Sequence, residues 1–562
     1  MYTHKKHILL LAALLKAHGI GQVVLCPGSR NIAIIKTLSK IDGIQCHAVT
    51  DERSAAFYAL GLALQTRKPV AVCCTSGTAL LNFHPAVAEA FYQNVPLLIL
   101  SADRPARWIG QMDGQTLPQP DVFKDLVKTS VNLPEISNVS DEAYCARLLH
   151  EALLALTHHT PGPVHINIPV SEPFFDTPVT SLPAVRPVVR LWGAELDKSL
   201  PRLANTLKQS CSRMAVVGQC PFPLSFDDSV HQNLGTGIVW LGEHLSNSRA
   251  PGCVCKQFDR LISACDPATR SQLMPELLIT YGGHIVSKAL KLALRKHPPQ
   301  YHWHICPEGK VIDLFGALTH VIEATPEVFF KKLAALGCVI PANAFVNTWQ
   351  RCIQQLPQQT ISWSSLSAVG EAITQIPVGS VLHLANSSVI RYAQLFDLPS
   401  AVTVYANRGT SGIEGSLSTA VGYASLDDRL NILMIGDLSF FYDMNALINV
   451  SRTNKSNLRI LLLNNGCGEI FHALPGLDLS DTDETFIAAK HQCTAKAWSQ
   501  DQGFIYLQAD SSESLQSALA RFYDPSQKAG PMLLEVFTEP QADMHALSTF
   551  KDLDRAIFRG NV

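Results

Sequence analysis

The sequence predicts an α/β protein of three doubly wound, mainly parallel-sheet domains, with the first and third built on one repeated pattern. Three observations lead there. Short apolar runs ending in Gly, Pro, Asn or Asp alternate with helical stretches along the chain, as parallel strands covered on both faces require. Proline-rich breaks at Pro178, Pro183 and Pro187, and again around Pro341, cut the chain near residues 185 and 342. The segments outside those cuts then repeat the same order of strand endings and helices. A chain of 562 residues exceeds one core, and domains at 1–184, 185–342 and 343–562 accommodate it.

The first segment opens with a basic start and an apolar run over 8–15 that imitate a signal peptide. It lacks a small-x-small cleavage site and continues through Lys16 and His18 into a strand over 22–26, so it is expected to form the first helix. That strand leads into Cys26-Pro27-Gly28-Ser29-Arg30, and a second strand ends at Thr50-Asp51-Glu52. A small-residue helix over 54–64, a strand over 70–75, a Ser76-Gly77 turn, a helix over 83–91 and a strand over 96–100 follow. The middle segment carries strands over 214–218 and 277–281 and a Gly282-Gly283 turn, with no GxGxxG to suggest a dinucleotide. In the third segment strands end at Ala385-Asn386-Ser387 and Ala406-Asn407-Arg408, and a small-residue helix covers 415–423. A strand over 430–435, a Gly436-Asp437 turn, a helix over 443–452 and a strand over 458–463 complete the repeat.

Composition narrows the function classes. Hydrophobic content of 47% and charged content of 16% are those of a soluble globular protein. With 45 Lys and Arg against 47 Asp and Glu, no positive excess favours nucleic acid or a membrane surface. No apolar run reaches the length of a membrane helix, so membrane insertion is not expected. The 15 cysteines include no CxxC pair and lie mostly in apolar runs, which points to reduced thiols in the cytoplasm. The 20 histidines form no pattern; His84 and His165 read as packing residues and are assigned no role.

The most informative stretch runs from Leu430 to Phe471 and forms a βαβ unit. A right-handed crossover brings both strand ends to one edge of the sheet, where ligands of open α/β sheets bind, so Asp437 and Asn465 converge. Gly-Asp and Asn-Asn-Gly are each common turns, but their placement across one crossover argues for a ligand. The Asp437 carboxylate, the Asn465 amide oxygen and the backbone carbonyl of Cys467 are hard oxygen donors suited to Mg²⁺.

This stretch resembles the Gly-Asp-x-Ser … Asn-Asn signature of thiamine-diphosphate enzymes, although Leu438 stands where many members have glycine. The three-domain order is that of decarboxylases and carboligases of this superfamily: a pyrimidine-binding, a middle and a diphosphate-binding domain. The resemblance implies the thiamine-diphosphate-binding fold, a site formed between two subunits, and a first-domain glutamate bonded to N1′ of the aminopyrimidine. Glu52 occupies that position. Alone it reads as an acidic first-turn residue favoured by the helix dipole. Its carboxyl group would donate to N1′ and favour the imino tautomer that activates the cofactor, which carries the difficult step.

Several segments resemble one branch, the MenD family of 2-succinyl-5-enolpyruvyl-6-hydroxy-3-cyclohexene-1-carboxylate synthases. They are CPGSR (26–30), TDERSAAFYALGLA (50–63), CTSGTA (74–79), ADRP (102–105), NSSVIR (386–391), NRGTSGIEGSLSTA (407–420) and GDLSFFYDMNAL (436–447). The Gly-Asp-Leu-Ser variant is usual in this branch, and the middle domain matches more weakly. The resemblance implies decarboxylation of 2-oxoglutarate and 1,4-addition of the resulting succinyl-semialdehyde carbanion to isochorismate, with thiamine diphosphate and Mg²⁺ or Mn²⁺, in a homodimer or tetramer.

Two dicarboxylate substrates require fixed cations. Arg30, Arg104, Arg391 and Arg408, each at a strand end or in the first turn of a helix, match the family's substrate-binding arginines, and Lys288 matches a middle-domain lysine. Ser29, Gln115 and Ser387 match polar substrate contacts. Gly436, Asp437, Leu438, Ser439, Asn465, Ile470 and Phe471 match the cofactor site, with Ile470 supporting the aminopyrimidine. Glu52, Gln115, Arg30 and Arg391 are the expected catalytic set, and Asp437, Asn465 and Cys467 the metal set. An acetolactate-type carboligase acting on pyruvate is the alternative; a monocarboxylate would leave most of those cations unpaired.

Overall fold

The computed structural model describes residues 2–174, 179–185, 196–248, 254–255, 257–308, 312–452, 456–472, 479–524 and 530–559. The proline break expected near 185 falls partly on residues outside this set, among them Pro178 and Pro187.

Three six-stranded sheets follow one another along the chain. The first holds β1 (Gln22–Leu25), β2 (Gln45–Ala48), β3 (Val70–Cys74), β4 (Leu97–Asp103), β5 (Ser130–Asn132) and β6 (Val164–Pro169), in the order β2-β1-β3-β4-β6-β5. The second holds β7 (Arg213–Val217), β8 (Val239–Gly242), β9 (Val254–Cys255), β10 (Leu277–Tyr281), β11 (Tyr301–Ile305) and β12 (His320–Ile322), in the order β12-β11-β10-β7-β8-β9. The third holds β13 (Val381–Leu384), β14 (Thr403–Tyr405), β15 (Asn431–Gly436), β16 (Leu458–Asn464), β17 (Ile505–Ala509) and β18 (Met532–Phe537), in the order β14-β13-β15-β16-β18-β17. Strand for strand, the third order repeats the first, and the described registers are parallel.

Central strands β3 and β4 are buried along their whole length because helices cover both faces, so β3 is apolar without alternation and β4 departs from that only at Ser101 and Asp103. The edge strand β2 is polar instead, with Gln45 bonded to Gln22 and His47 to Gln22. In the middle sheet, strand order reverses between β7 and β10, the place where open α/β sheets leave a ligand crevice. Here the two loops fill it: Gly218 N donates to Tyr281 O, Gly283 N to Gln219 O and Gln219 N to His284 O. A Cβ on Gly218 would lie 2.0 Å from Gly283 O, so only glycine permits this closure.

Contacts divide the chain into two compact units, Met1–Trp192 with Asn407–Asp428 and Ser439–Leu458, and Gly193–Ala406 with Arg429–Leu438 and Arg459–Val562. Within the first unit, the equivalent helices Glu52–Thr66 and Ser416–Leu426 pack together. Their backbones meet at reciprocal glycines. A Cβ on Gly61 would stand 2.1 Å from Thr419 O, and one on Gly422 would stand 2.3 Å from Tyr58 O.

The helix expected over 443–452 is not continuous. The structure starts helix at Asp437–Tyr442, passes through a 3₁₀ turn at Met444–Ala446 and resumes at Leu447–Ser451. Asp443 makes the break: its fully buried carboxylate turns inward and accepts Ser418 N and Ser418 Oγ, both at 2.7 Å, in the first turn of the neighbouring helix. Burial pushes that carboxyl up to about 6.

Candidate active site

Strands β15 and β16 are neighbours, and their ends carry the residues expected to hold a metal. Asp437, at the first position of a helix, accepts Leu438 N at 2.7 Å through Oδ1 and Gly466 N at 2.8 Å through Oδ2. His491 Nε2 lies 3.4 Å from the same Oδ2. The two adjacent asparagines do different work. Asn464 points into the sheet, its amide donating to Cys493 O at 2.9 Å and Glu535 Oε1 at 2.8 Å. Asn465 donates through Nδ2 to Asp543 Oδ2 at 3.0 Å and Glu469 Oε2 at 3.4 Å, while its Oδ1 accepts Cys467 N at 3.3 Å. Facing carboxylate oxygens fixes the amide nitrogen on that side and turns its oxygen the other way.

Buried Glu469 also accepts the Tyr392 hydroxyl, and burial together with nearby Asp543 pushes it up to about 7. Burial lifts the Cys467 thiol to about 12, so its sulfur stays protonated. One carboxylate, one amide oxygen and one carbonyl fit a hard divalent cation bound to phosphate oxygens. Among the described residues, no group of three His, Cys, Asp or Glu side chains could hold a metal by itself. A Cβ on Gly436 would meet nothing within 4 Å, which leaves space beside this strand end. Leu438 is half-buried, Ser439 gives its hydroxyl to Ile413 O, and Ile470 and Phe471 lie half-buried in the 3₁₀ turn Glu469–Phe471.

At the ends of the first sheet, Glu52 begins the helix Glu52–Thr66, capped by Asp51, whose side chain accepts Ser54 N at 3.2 Å. Ser29 and Gln115 are exposed. Gln115 takes a left-handed backbone, φ 55°, and its backbone lies 3.2 Å from where a Cβ on Gly77 would sit. Arg30 is buried: Nη1 donates to Val170 O at 3.0 Å, Nη2 pairs with exposed Glu172 at 3.2 Å, and the guanidinium sits 4.5 Å from the Phe174 ring centroid. Burial, then the neighbouring Arg104 charge, holds Arg30 below the ordinary arginine value. Arg104 pairs with Asp113 at 3.1 Å. Both arginines thus already have a carboxylate, the type of group a dicarboxylate substrate would bring.

Arg408 is half-buried beyond β14. Lys288 begins the helix Lys288–Lys296 and is exposed. The turn before it is held by Glu243, whose carboxylate accepts Val286 N at 2.7 Å and Ser287 N at 2.6 Å. Ser387 caps the helix Ser388–Ala393 with φ 71°, a left-handed conformation that costs a non-glycine residue energy. Arg391 is exposed and departs from the expected first-turn position: it lies in the last turn of that helix, because the helix Ser388–Ala393 is only six residues long.

Sequence reasoning passed over a buried polar network beneath Arg104 and Gln115. Asn167 donates to Asp103 Oδ2 at 2.8 Å and accepts from Ser101 at 2.7 Å and Gln119 at 2.9 Å; Gln119 in turn accepts Gly77 N at 2.8 Å. Asp103 accepts Arg104 N at 2.7 Å. Polar letters inside otherwise apolar β4 and β6 are the signal that could have revealed it. His165 Nε2 lies 2.7 Å from Ser101 Oγ within this network, and His84 contacts the backbone carbonyls Leu81 O and Val122 O.

Residues 8–125 match the model of the thiamine pyrophosphate enzyme N-terminal TPP binding domain, and residues 386–536 that of the C-terminal TPP binding domain. A 2-succinyl-5-enolpyruvyl-6-hydroxy-3-cyclohexene-1-carboxylate synthase of Bacteroides thetaiotaomicron is 53% identical, over 98% of this chain and 99% of the relative. The synthase of that name from Phocaeicola vulgatus is 51% identical over 98% of each chain, and that from Flavobacterium johnsoniae 37% identical over 96% and 97%. The chain belongs to the 2-succinyl-5-enolpyruvyl-6-hydroxy-3-cyclohexene-1-carboxylate synthase family of thiamine pyrophosphate enzymes.

Proposed function

We propose that this protein joins 2-oxoglutarate to isochorismate with loss of CO₂, giving 2-succinyl-5-enolpyruvyl-6-hydroxy-3-cyclohexene-1-carboxylate for menaquinone synthesis. The observation that carries this reading is the full-length relationship to synthases of that name, with a cofactor-binding domain toward each end of the chain. Thiamine diphosphate, when bound, supplies the electron sink that lets a 2-oxo acid lose CO₂ and then act as a nucleophile.

The residues of this chain do the rest. Glu52 holds a proton at N1′ of the aminopyrimidine. Asp437, Asn465 and the Cys467 carbonyl hold Mg²⁺ or Mn²⁺, and Gly436, Leu438 and Ser439 line the diphosphate. Ile470 and Phe471 present apolar surface that excludes water. Arg30, Arg104, Arg391, Arg408 and Lys288 bind substrate carboxylates, aided by Ser29, Gln115 and Ser387. Substrate carboxylates take the place of Glu172 on Arg30 and of Asp113 on Arg104. We assign residues 1–184, 185–342 and 343–562 to pyrimidine-binding, middle and diphosphate-binding domains. The assembly is a homodimer or tetramer in the cytoplasm; among the described residues, no helix is long and apolar enough to cross a membrane.

The test is purified protein with thiamine diphosphate and Mg²⁺, supplied with isochorismate and either 2-oxoglutarate or pyruvate. Consumption of isochorismate with 2-oxoglutarate alone is expected. Equal consumption with pyruvate would replace the substrate assignment by an acetolactate-type one.

A further inference from the structure

We propose that Glu89 is a positioning residue for Arg408, holding the loop that presents this arginine to a substrate carboxylate. The inference rests on the substrate-binding reading of Arg408 given above. Glu89 lies on the helix His84–Gln93 and is 1% exposed. Its carboxylate accepts Gly409 N at 2.8 Å through Oε1, and Thr410 N at 3.0 Å and Thr410 Oγ1 at 3.1 Å through Oε2. The Gln93 side-chain amide donates to Oε1 as well. A buried carboxylate is costly unless donors surround it, and here three of four donors come from the two residues directly after Arg408.

The loop is also pressed onto the helix. A Cβ on Gly409 would stand 2.7 Å from Tyr92 Cβ and 2.8 Å from Glu89 O, so glycine is needed for the contact. On the other side of Arg408, buried Asn407 donates to Thr419 Oγ1 at 3.1 Å. Both neighbours of Arg408 are therefore pinned, and the base of a long flexible side chain is set before substrate arrives. Removing the grip leaves the guanidinium in place chemically but frees its backbone.

Glu89→Gln tests this, because the substitution keeps the shape and sets an NH₂ group against a backbone N–H. The expected result is a rise of about tenfold in Kd and KM for whichever dicarboxylate Arg408→Ala weakens. kcat and the affinity for thiamine diphosphate with Mg²⁺, measured by isothermal titration, should stay within about twofold. In the Arg408→Ala background, Glu89→Gln should add almost nothing. Thr410→Val removes one donor without touching the helix and should shift KM the same way by about threefold. Additive effects in the double variant, or unchanged KM in both Glu89→Gln and Thr410→Val, would overturn the proposal. An Arg408→Ala protein with unaltered Kd for both substrates would instead overturn the reading of Arg408 itself.

Discussion

The first and third sheets place a buried polar side chain at the same lattice point and use it differently. Asn167 is the fourth residue of β6 and pairs in register with Ser101 on β4; Glu535 is the fourth residue of β18 and pairs with Leu462 on β16. Both are completely buried. Asn167 ties together Ser101, Asp103, Gln119 and Asn132, beneath the turn bearing Gln115 and the start of Arg104. Glu535 accepts Asn464 Nδ2, Ala495 N at 3.1 Å and the Tyr506 hydroxyl at 2.8 Å, beneath the Asn465–Cys467 loop. The strand ends diverge likewise: β2 leads to Glu52, β14 to Arg408. One backbone pattern fixes where side chains emerge, and the letters at those places decide whether a copy presents an acid, as at Glu52, or a cation, as at Arg408.

If the copies have separated their tasks in this way, changes at matching places should fail in different assays. Glu52→Gln removes the proton held by the first copy and should lower kcat about 10²- to 10⁴-fold, with cofactor affinity from isothermal titration nearly unchanged. Turnover at the wild-type rate would end the role given to Glu52. Asp437→Ala, in the third copy, should instead weaken thiamine diphosphate binding in Mg²⁺ by roughly 100-fold or more while isochorismate affinity changes little. An unaltered cofactor titration would remove Asp437 from the metal set.

The lattice-point pair gives a smaller and more direct contrast. Glu535→Ala and Asn167→Ala should each cost about 1–3 kcal/mol in urea denaturation, because each strands buried partners. Only the first should also weaken cofactor binding, and only the second should raise a substrate KM; identical kinetic profiles would break the division. A contrast of similar size concerns pH. Burial lowers His165 from 6.5 to about 3, whereas the third copy has Leu533 at the matching second position of β18. Below pH 6.5 the unfolded chain takes up a proton that the folded His165 refuses, so stability present above that pH is lost as pH falls toward 3. Between pH 7 and 5, wild type should lose about 2 kcal/mol more than His165→Gln. Parallel pH curves would remove His165 from the acid sensitivity.

Much of the scaffold was legible in the letters because its signals are local. Apolar runs such as Val70–Cys74 and Leu277–Tyr281 are strands at almost the expected bounds, since covering both faces of a parallel sheet demands unbroken apolar sequence. The N-terminal run folded as the helix Lys6–Ala17, followed by β1. The duplicated order of turns in the outer segments foretold two sheets of one strand order. Where the reading went astray, as over 443–452, a side chain answered to a distant partner: helical spacing there is genuine, but Asp443 serves Ser418.

The sequence by itself determined the three-sheet α/β plan and the family, and it nominated the residues to which the proposed chemistry is given, because strand periodicity, turn residues and motif spacing act over a few neighbours. Only the tertiary structure decided which partner each charged or amide group would take. Arg30 meets Glu172, Asn464 turns inward to Glu535 while Asn465 turns to Asp543 and Glu469, and Glu89 grips the residues after Arg408. A buried polar group must find its partner wherever folding brings one, and separation along the chain does not say where that will be.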